Sequence, residues 1–235
     1  MVAIQLNKTV DDFLSGYSKL ETPDERKEHK EEGEIMFEGF GELLRQYEDL
    51  LKEELAYIEE EAINSILSPE QINSFLQATI RYEDYKHFGW NTGMFITQLI
   101  QNSHEAGNNR FTLTTKAFSK RIDHIGLRLQ GIGNKKLEIL VEGDVGNFCA
   151  FRANNLGKLH INGNAGTYCC KSAWNIQEIY IGGTAKIYCG INTENCTFIT
   201  PDQETLFWLK EHVEQDQGNK IYFIRPENQE EEIKW

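Results

Sequence analysis

The chain has 235 residues, of which 40% are hydrophobic and 26% are charged, and its formal net charge is −13. These proportions are typical of a globular protein with one large or two small domains, and they exclude disordered, collagen-like and small disulfide-rich chains. The negative charge argues against nucleic acid and anionic membranes as partners. No apolar run approaches the ~18 residues that cross a bilayer, and the N-terminus lacks the pattern of a secretory signal, so we expect a cytoplasmic protein.

The acidic residues are concentrated in the N-terminal half. Residues 1–110 contain 10 Lys and Arg against 22 Asp and Glu, whereas residues 111–235 contain 14 against 15. The first half is also rich in helix-forming residues, and the second half is rich in Gly, Asn, Ile, Tyr and Cys. We therefore expect an acidic helical region at 1–110, a β-structured region with its capping elements at 111–224, and an acidic tail at 225–235.

Helices are predicted along the first half by capping signals and by apolar periodicity. Thr22-Pro23-Asp24-Glu25 and Ser68-Pro69-Glu70-Gln71 both have the composition of a capping box at a helix start. Apolar residues recur every three or four positions over 36–66, which predicts a helix at 41–67, and a third helix is predicted from about 91 to 107. The pattern predicts a helical hairpin or small bundle whose apolar faces form a core or, alternatively, bind a partner helix or a second copy.

The second half contains a repeat with a period of twenty residues. Three copies align over 139–200 without a gap, and eight positions hold the same kind of residue in all three. These positions are Ile139, Leu159 and Ile179; Val141, Ile161 and Ile181; Gly143, Gly163 and Gly183; Val145, Ala165 and Ala185; Phe148, Tyr168 and Tyr188; Cys149, Cys169 and Cys189; Ala153, Ala173 and Thr193; and Asn155, Asn175 and Asn195. Every second residue at the start of a copy is apolar or small, which predicts a strand with one buried face.

The length of the repeat limits what each copy can form. Twenty residues are too few for a strand, a regular helix and two loops, so we expect the copies to stack as coils of a parallel β-solenoid. The recurring glycine and asparagine would then occupy the corners, and stacked asparagines can hydrogen-bond along the stack.

Two of these copies resemble a known kind of coil. Ile161-x-Gly163-Asn164-Ala165-Gly166-x-Tyr168 and Ile181-x-Gly183-x-Ala185-x-x-Tyr188-Cys189-Gly190 are similar to the coils of the glycine-repeat subunit family of formylmethanofuran dehydrogenase. The C-terminal domain of the large subunit of glutamate synthase is built from similar coils. The resemblance covers about a quarter of the chain, and it implies a right-handed parallel β-helix that serves as a scaffold without an active site. The sequence departs from the pattern at Ala150, Cys170 and Lys186, where those coils carry glycine.

Both ends of such a stack need a cover. Thr200-Pro201-Asp202-Gln203 predicts the start of a helix over the last coil, Ile221 to Ile224 predict a short strand, and 111–129 would join the helical half to the first coil. The sequence thus predicts an α+β protein. Its N-terminal helical hairpin or bundle would be followed by a short right-handed parallel β-helix of about 20 residues per coil, capped by a C-terminal helix.

The five cysteines favour reduced thiols, because their number is odd and no export signal accompanies them. No paired spacing typical of zinc ligands occurs, so we interpret the column of Cys149, Cys169 and Cys189 as buried small apolar side chains. No cofactor and no metal is predicted. A thiol or metal sensor that uses this column together with Cys170 is the weaker alternative.

The histidines and acids give one hypothesis for a site. Among six histidines, only His124 has an adjacent carboxylate, that of Asp123. These two residues, with His104, His160 and the tyrosines of the repeat, are the candidates if the protein is an enzyme or binds a small ligand where the helical half meets the coils. The sequence contains no phosphate-binding loop, nucleophile elbow or dinucleotide fingerprint.

The favoured hypothesis is a non-catalytic scaffold or protein-interaction module, either a homo-oligomer or a subunit of a larger complex. A strong repeat without a recognisable catalytic motif favours it, since the fold alone does not specify an activity. The expected partner is a protein, either a second copy or another chain, and neither nucleic acid nor membrane is expected. An enzyme or ligand-binding protein is the alternative, and enzymatic activity is the less favoured of the two interpretations.

Overall fold

The computed structural model describes residues 40–52, 63–133, 136–225 and 230–233. Four α-helices lie in this part of the chain: α1 (Gly41–Lys52), α2 (Pro69–Ala78), α3 (Phe88–Glu105) and α4 (Gln203–His212). The same residues contain one sheet, formed by β1 (Arg110–Thr114), β2 (Leu137–Glu142), β3 (Leu156–Ile161), β4 (Glu178–Ile181), β5 (Thr197–Thr200), β6 (Lys220–Ile224) and β7 (Glu230–Ile233). The strands lie side by side in chain order, all parallel except β7, which is antiparallel to β6.

The predicted α+β protein with a right-handed parallel β-helix is wrong. The described residues form a mixed α/β structure around a single open, mostly parallel sheet that is not closed into a barrel. Each copy of the repeat contributes one regular strand, and the rest of the copy forms turns that meet the next copy through isolated bridges such as Ala165 to Ala185. Left-handed backbone conformations, for example at Tyr168 (φ 62°), Cys170 (φ 55°) and Asn175 (φ 56°), interrupt the extended chain before a second regular sheet can form.

The twenty-residue period nevertheless predicts the register of the strands correctly. Leu159 pairs with Ile139 on one side and with Ile179 on the other, and the next inward-facing row behaves in the same way. The first inner row runs across six strands and is fully buried: Phe111, Ile139, Leu159, Ile179, Phe198 and Ile221. Burying each of these side chains contributes roughly 1.5–3 kcal/mol, so these rows are the main source of stability of the sheet.

A further unit precedes the three copies, in the segment that the sequence predicts to be a connection. β1 pairs with β2, and the turn that follows β1 continues the turns of the copies: His124 N donates to Asn147 O at 2.8 Å, as Phe148 N donates to Thr167 O at 2.9 Å. His124 also has the left-handed conformation of Phe148, with φ values of 63° and 57°. Extra residues between β1 and this turn remove the twenty-residue spacing, and for that reason self-alignment does not detect the unit.

The capping signals predict helix starts with mixed accuracy. The capping box at Ser68 is confirmed, because Ser68 Oγ accepts from Gln71 N at 3.3 Å and Gln71 Oε1 accepts from Ser68 N at 2.9 Å. The cap of α4 is Asp202, whose Oδ1 accepts from Thr205 N at 2.7 Å, and not the predicted Thr200. The signal at Thr22 lies outside the described residues.

The predicted helix at 41–67 and the predicted bundle also need correction. α1 is described as far as Lys52, and residues 63–68 are not helical. In the described part of the chain the helices pack on the sheet instead of forming a separate bundle. α2 covers the outer edge of β1, where Asn73 Oδ1 accepts from Thr114 N at 2.8 Å, and α4 lies against the third copy, where Thr205 Oγ1 accepts from Ala185 N at 2.7 Å. Four residues of the predicted tail form β7, and the division of the chain at residues 110 and 224 stays a prediction.

Candidate functional site at the junction of helix and sheet

The four histidine and aspartate candidates do not meet in one place. His160 lies on the outer face of β3, where its Nε2 is 2.5 Å from Glu178 Oε1, and Lys158 Nζ lies 3.5 Å from the other oxygen of the same carboxylate. This arrangement is a partly exposed charge cluster on the sheet surface. His104, by contrast, is buried at the C-terminal end of α3.

Both ring nitrogens of His104 are used by the backbone. Nδ1 lies 2.8 Å from Asn108 O, and Nε2 lies 2.9 Å from Ile132 N. Because an amide N–H can only donate, Nε2 must accept and Nδ1 must carry the proton. His104 therefore positions the loop at Ile132 and is not available to act as an acid or base.

His124 and Asp123 are also held by their surroundings. The His124 side chain is 4% exposed, between the ring of Trp90 at 3.8 Å and that of Phe148 at 5.1 Å between centroids. Its Nδ1 has no hydrogen-bond partner among the described residues, and burial lowers the pKa of His124 to about 4. Burial raises the pKa of Asp123, while Asp123 Oδ1 accepts from Asn147 N at 2.6 Å. The two adjacent side chains thus have different surroundings and do not form a dyad.

The tyrosine column forms part of a continuous stack of aromatic rings. Phe148, Tyr168 and Tyr188 stack at 5.0 and 5.1 Å between centroids. The stack continues from Phe148 to His124 and Trp90, and from Tyr188 to His212 and Trp208. Since each face within the stack is covered by the next ring, these rings stabilise the column of turns and offer no open face to a flat ligand.

The candidate thiols are enclosed in the core. Cys149, Cys169, Cys170 and Cys189 are fully buried and free, and the Sγ atoms of Cys169 and Cys170 are 3.7 Å apart. A hydrogen bond to Cys169, together with burial, raises the pKa of Cys149, Cys170 and Cys189 well above the ordinary value. No group of three or more His, Cys, Asp or Glu in the part of the chain that the structure describes is arranged to hold a metal ion.

A groove of about 690 Å³, which we call the junction groove, lies where α3 meets the first unit. Its walls come from three stretches of chain: the segment before α2, one face of α3, and the turn and loop at 127–132. Its apolar lining includes Ile66, Met94, Leu127, Leu129 and Ile132. Ile66 and Ile132 are 64% and 47% exposed, although they are large apolar side chains.

The polar lining of the junction groove consists mainly of side-chain amides. Gln98 Nε2 donates to Asn102 Oδ1 at 2.8 Å, and Gln101 Nε2 donates to Glu105 Oε1 at 3.0 Å. Gln101 Oε1 also accepts from Gln130 N at 3.0 Å, which joins the helix to the sheet side of the groove. These contacts hold the two walls at a fixed separation before any ligand binds.

One side of the junction groove carries a group of cations, which we call the basic corner. It consists of Arg128, which lines the groove, and of Arg152 and Lys171 on the next two units. Arg152 lies over the ring of Phe151 at 5.2 Å, and Lys171 lies over the ring of Tyr168 at 4.6 Å. These aromatic contacts, and not carboxylates, are the side-chain partners of Arg152 and Lys171 within the described ranges.

None of the four predicted histidine and aspartate residues lines the junction groove. A signal for the groove was nevertheless present in the sequence. Met94, Gln98, Gln101 and Glu105 are spaced four, three and four residues apart, so they lie on one face of a helix. The sequence could not indicate which chain segment faces them, because the contact with 127–132 is long-range.

Comparison of the chain with protein-family models, with curated proteins and with solved structures finds no match. Among the helices of the described ranges, none has the length and apolar composition needed to span a membrane.

Proposed function

We propose that the protein is a non-catalytic interaction module that binds an extended segment of a partner protein in the junction groove. The single observation that carries this proposal is the position of Ile66 and Ile132, two exposed large apolar side chains at one concave surface. Contiguous exposed apolar groups on a protein surface are typical of interaction sites, and grooves between packed elements are common places for them.

The amide lining supports a peptide as the occupant. Each glutamine side chain has an N–H donor and a carbonyl acceptor, as a peptide unit does, so Gln98, Gln101 and Gln130 provide groups that complement a polypeptide backbone. Apolar side chains of the segment would enter between Met94 and Ile132, while its backbone meets the amides. Recognition of extended peptides commonly combines these two kinds of contact.

The fixed geometry of the walls also supports binding. The hydrogen bond from Gln130 N to Gln101 and the buried packing of α3 order the groove in advance, which reduces the entropy lost when a segment binds. A scaffold function for the stacked units follows directly, since the sheet and its turns hold the binding residues in place.

Selection from a random peptide display library on the immobilised chain tests this proposal. We expect enriched peptides that share apolar residues, and we expect the double variant Ile66→Glu/Ile132→Glu to lose them. The matched control is Ile187→Glu/Phe207→Glu, which changes two apolar side chains of 39% and 54% exposure outside the groove lining and should retain the peptides. Equal enrichment by both double variants, or no enrichment by the unmodified chain, would contradict the proposal.

Light scattering coupled to size exclusion establishes whether the partner is a second copy. If the chain forms a defined oligomer that Ile66→Glu/Ile132→Glu converts to monomer, the segment bound in the groove belongs to another copy. If the oligomeric state does not depend on these residues, the partner is a different protein.

A further inference from the structure

The basic corner is unusual because it lies on a strongly acidic chain. The protein has 37 Asp and Glu against 24 Lys and Arg, so an exposed cation would be expected to have a carboxylate near it. Other exposed cations do: Arg110 Nε lies 3.0 Å from Glu138, and Arg121 lies 3.4 Å from Asp144. For Arg128, Arg152 and Lys171, no carboxylate of the described residues lies within ion-pair distance.

The backbone places the two arginines at equivalent positions of adjacent units. Arg128 N donates to Phe151 O at 2.8 Å, and Arg152 N donates to Lys171 O at 2.9 Å. Both residues have the left-handed conformation, with φ values of 55° and 56°, so their side chains leave the turn in the same way. Adjacent units are separated by about 5 Å, and like charges at such a spacing repel each other. An anion that contacts both guanidinium groups would relieve this repulsion.

The basic corner is continuous with the apolar part of the junction groove. Arg128 follows Leu127 directly and shares the groove lining with it, and Gln130 lies two residues further on. A ligand that occupies the groove therefore has apolar side chains on one part of its surface and positive charge next to them on the other. The chemistry that matches this surface is a peptide with apolar residues flanked by carboxylates.

We infer that the junction groove and the basic corner together bind an acidic, apolar segment of a partner protein. Its apolar side chains pack against Ile66 and Ile132, and its carboxylates contact Arg128 and Arg152. This inference rests on the proposed function, because it specifies the partner of the same groove. Arginine suits this role because its planar guanidinium group can donate two parallel hydrogen bonds to one carboxylate.

The test uses an array of short synthetic peptides with randomised apolar positions. In one set the polar positions are Asp and Glu, in a second they are Ser and Asn, and in a third they are Lys and Arg. We expect the unmodified chain to retain the acidic set at least about 10-fold better than the basic set, since two exposed charge contacts of about 0.5–1 kcal/mol each give a change of this order. Raising the salt from about 0.1 M to about 1 M should reduce this preference, because the Debye length falls from about 10 Å to about 3 Å.

Charge-exchanged variants locate the effect. Arg128→Glu/Arg152→Glu should lose the acidic set and gain the basic set, and a gain of binding is not a result that unfolding produces. The control Lys116→Glu/Lys220→Glu makes the same change in net charge at two exposed lysines away from the groove lining, and it should keep the acidic preference.

The failure of this inference is distinguishable from the failure of the proposed function. If the neutral set binds as well as the acidic set and Ile66→Glu/Ile132→Glu abolishes both, the groove binds peptides but the acidic preference is wrong. If the acidic set binds but the isoleucine variant retains it, the basic corner acts without the groove and this inference is overturned. If no set is retained above background, both proposals are overturned.

Discussion

Replacing Gly93 by alanine tests how α3 is placed on the first unit. A Cβ at Gly93 would lie 1.6 Å from Asp123 O and 2.8 Å from Asp123 C, both of which are backbone atoms. Helix and turn would have to separate by about 2 Å to reach van der Waals contact. A neighbouring glycine on the same helix has a similar constraint, since a Cβ at Gly89 would lie 2.5 Å from Arg121 O.

The separation would also break hydrogen bonds that cross the contact. Thr97 Oγ1 accepts from Gly126 N at 2.7 Å and lies 3.1 Å from His124 O, so this hydroxyl joins α3 to the turn of the first unit. Losing such a bond costs about 1 kcal/mol, and overpacking costs about 1–3 kcal/mol more. Alanine is the better helix former by about 1 kcal/mol, which offsets part of the loss.

The net expectation for Gly93→Ala is a loss of about 2 kcal/mol in the free energy of unfolding, which lowers Tm by about 4–8 °C for a chain of this size. Urea unfolding and calorimetry measure the two quantities. Gly41→Ala at the start of α1 is the control, because a Cβ there meets nothing within 4 Å, and it should be neutral or slightly stabilising. If Gly93→Ala were as stable as the unmodified chain, α3 could not lie as close to Asp123 as the structure places it.

Three further predictions concern the turns and the core. Burial lowers the pKa of His124 to about 4, below the 6.5 of an ordinary histidine. The unfolded chain therefore binds a proton that the folded chain does not, and the stability contributed at neutral pH decreases as the pH falls, by about 2 kcal/mol between pH 7 and pH 5. His124→Phe should remove this acid sensitivity, and urea unfolding at both pH values checks it; an unchanged pH dependence would contradict the assignment. The five buried cysteines should not react with a thiol reagent in the native protein and should all react in denaturant, so rapid native labelling would refute their enclosure. Asn175 has φ 56°, so Asn175→Ala should lower the free energy of unfolding by about 1 kcal/mol while Asn175→Gly is tolerated, and equal effects of the two would show that the left-handed conformation is not the cause.

Local and periodic signals in the sequence determined several features of this protein. The capping box at Ser68 needs only residues within one turn of helix, and the end of α3 is marked by Gly107, which has φ 107°. The twenty-residue period determined which residues pair across the parallel strands and which face inward. A constant spacing along the chain places equivalent residues at equivalent positions in the sheet, so no long-range information is needed.

The tertiary structure decided what the sequence could not indicate. The left-handed turns occur at residues such as Phe148 and Arg152, whose types do not announce that conformation, and they convert the expected coils into one open sheet with turns. An irregular spacing concealed the unit that contains His124. Ile66 and Ile132 meet at one groove only because α3 and the first unit pack together, whereas His104, His124 and His160 are held by different neighbours. Each of these outcomes depends on contacts between distant parts of the chain, and the energies of such contacts do not appear in any short pattern of residues.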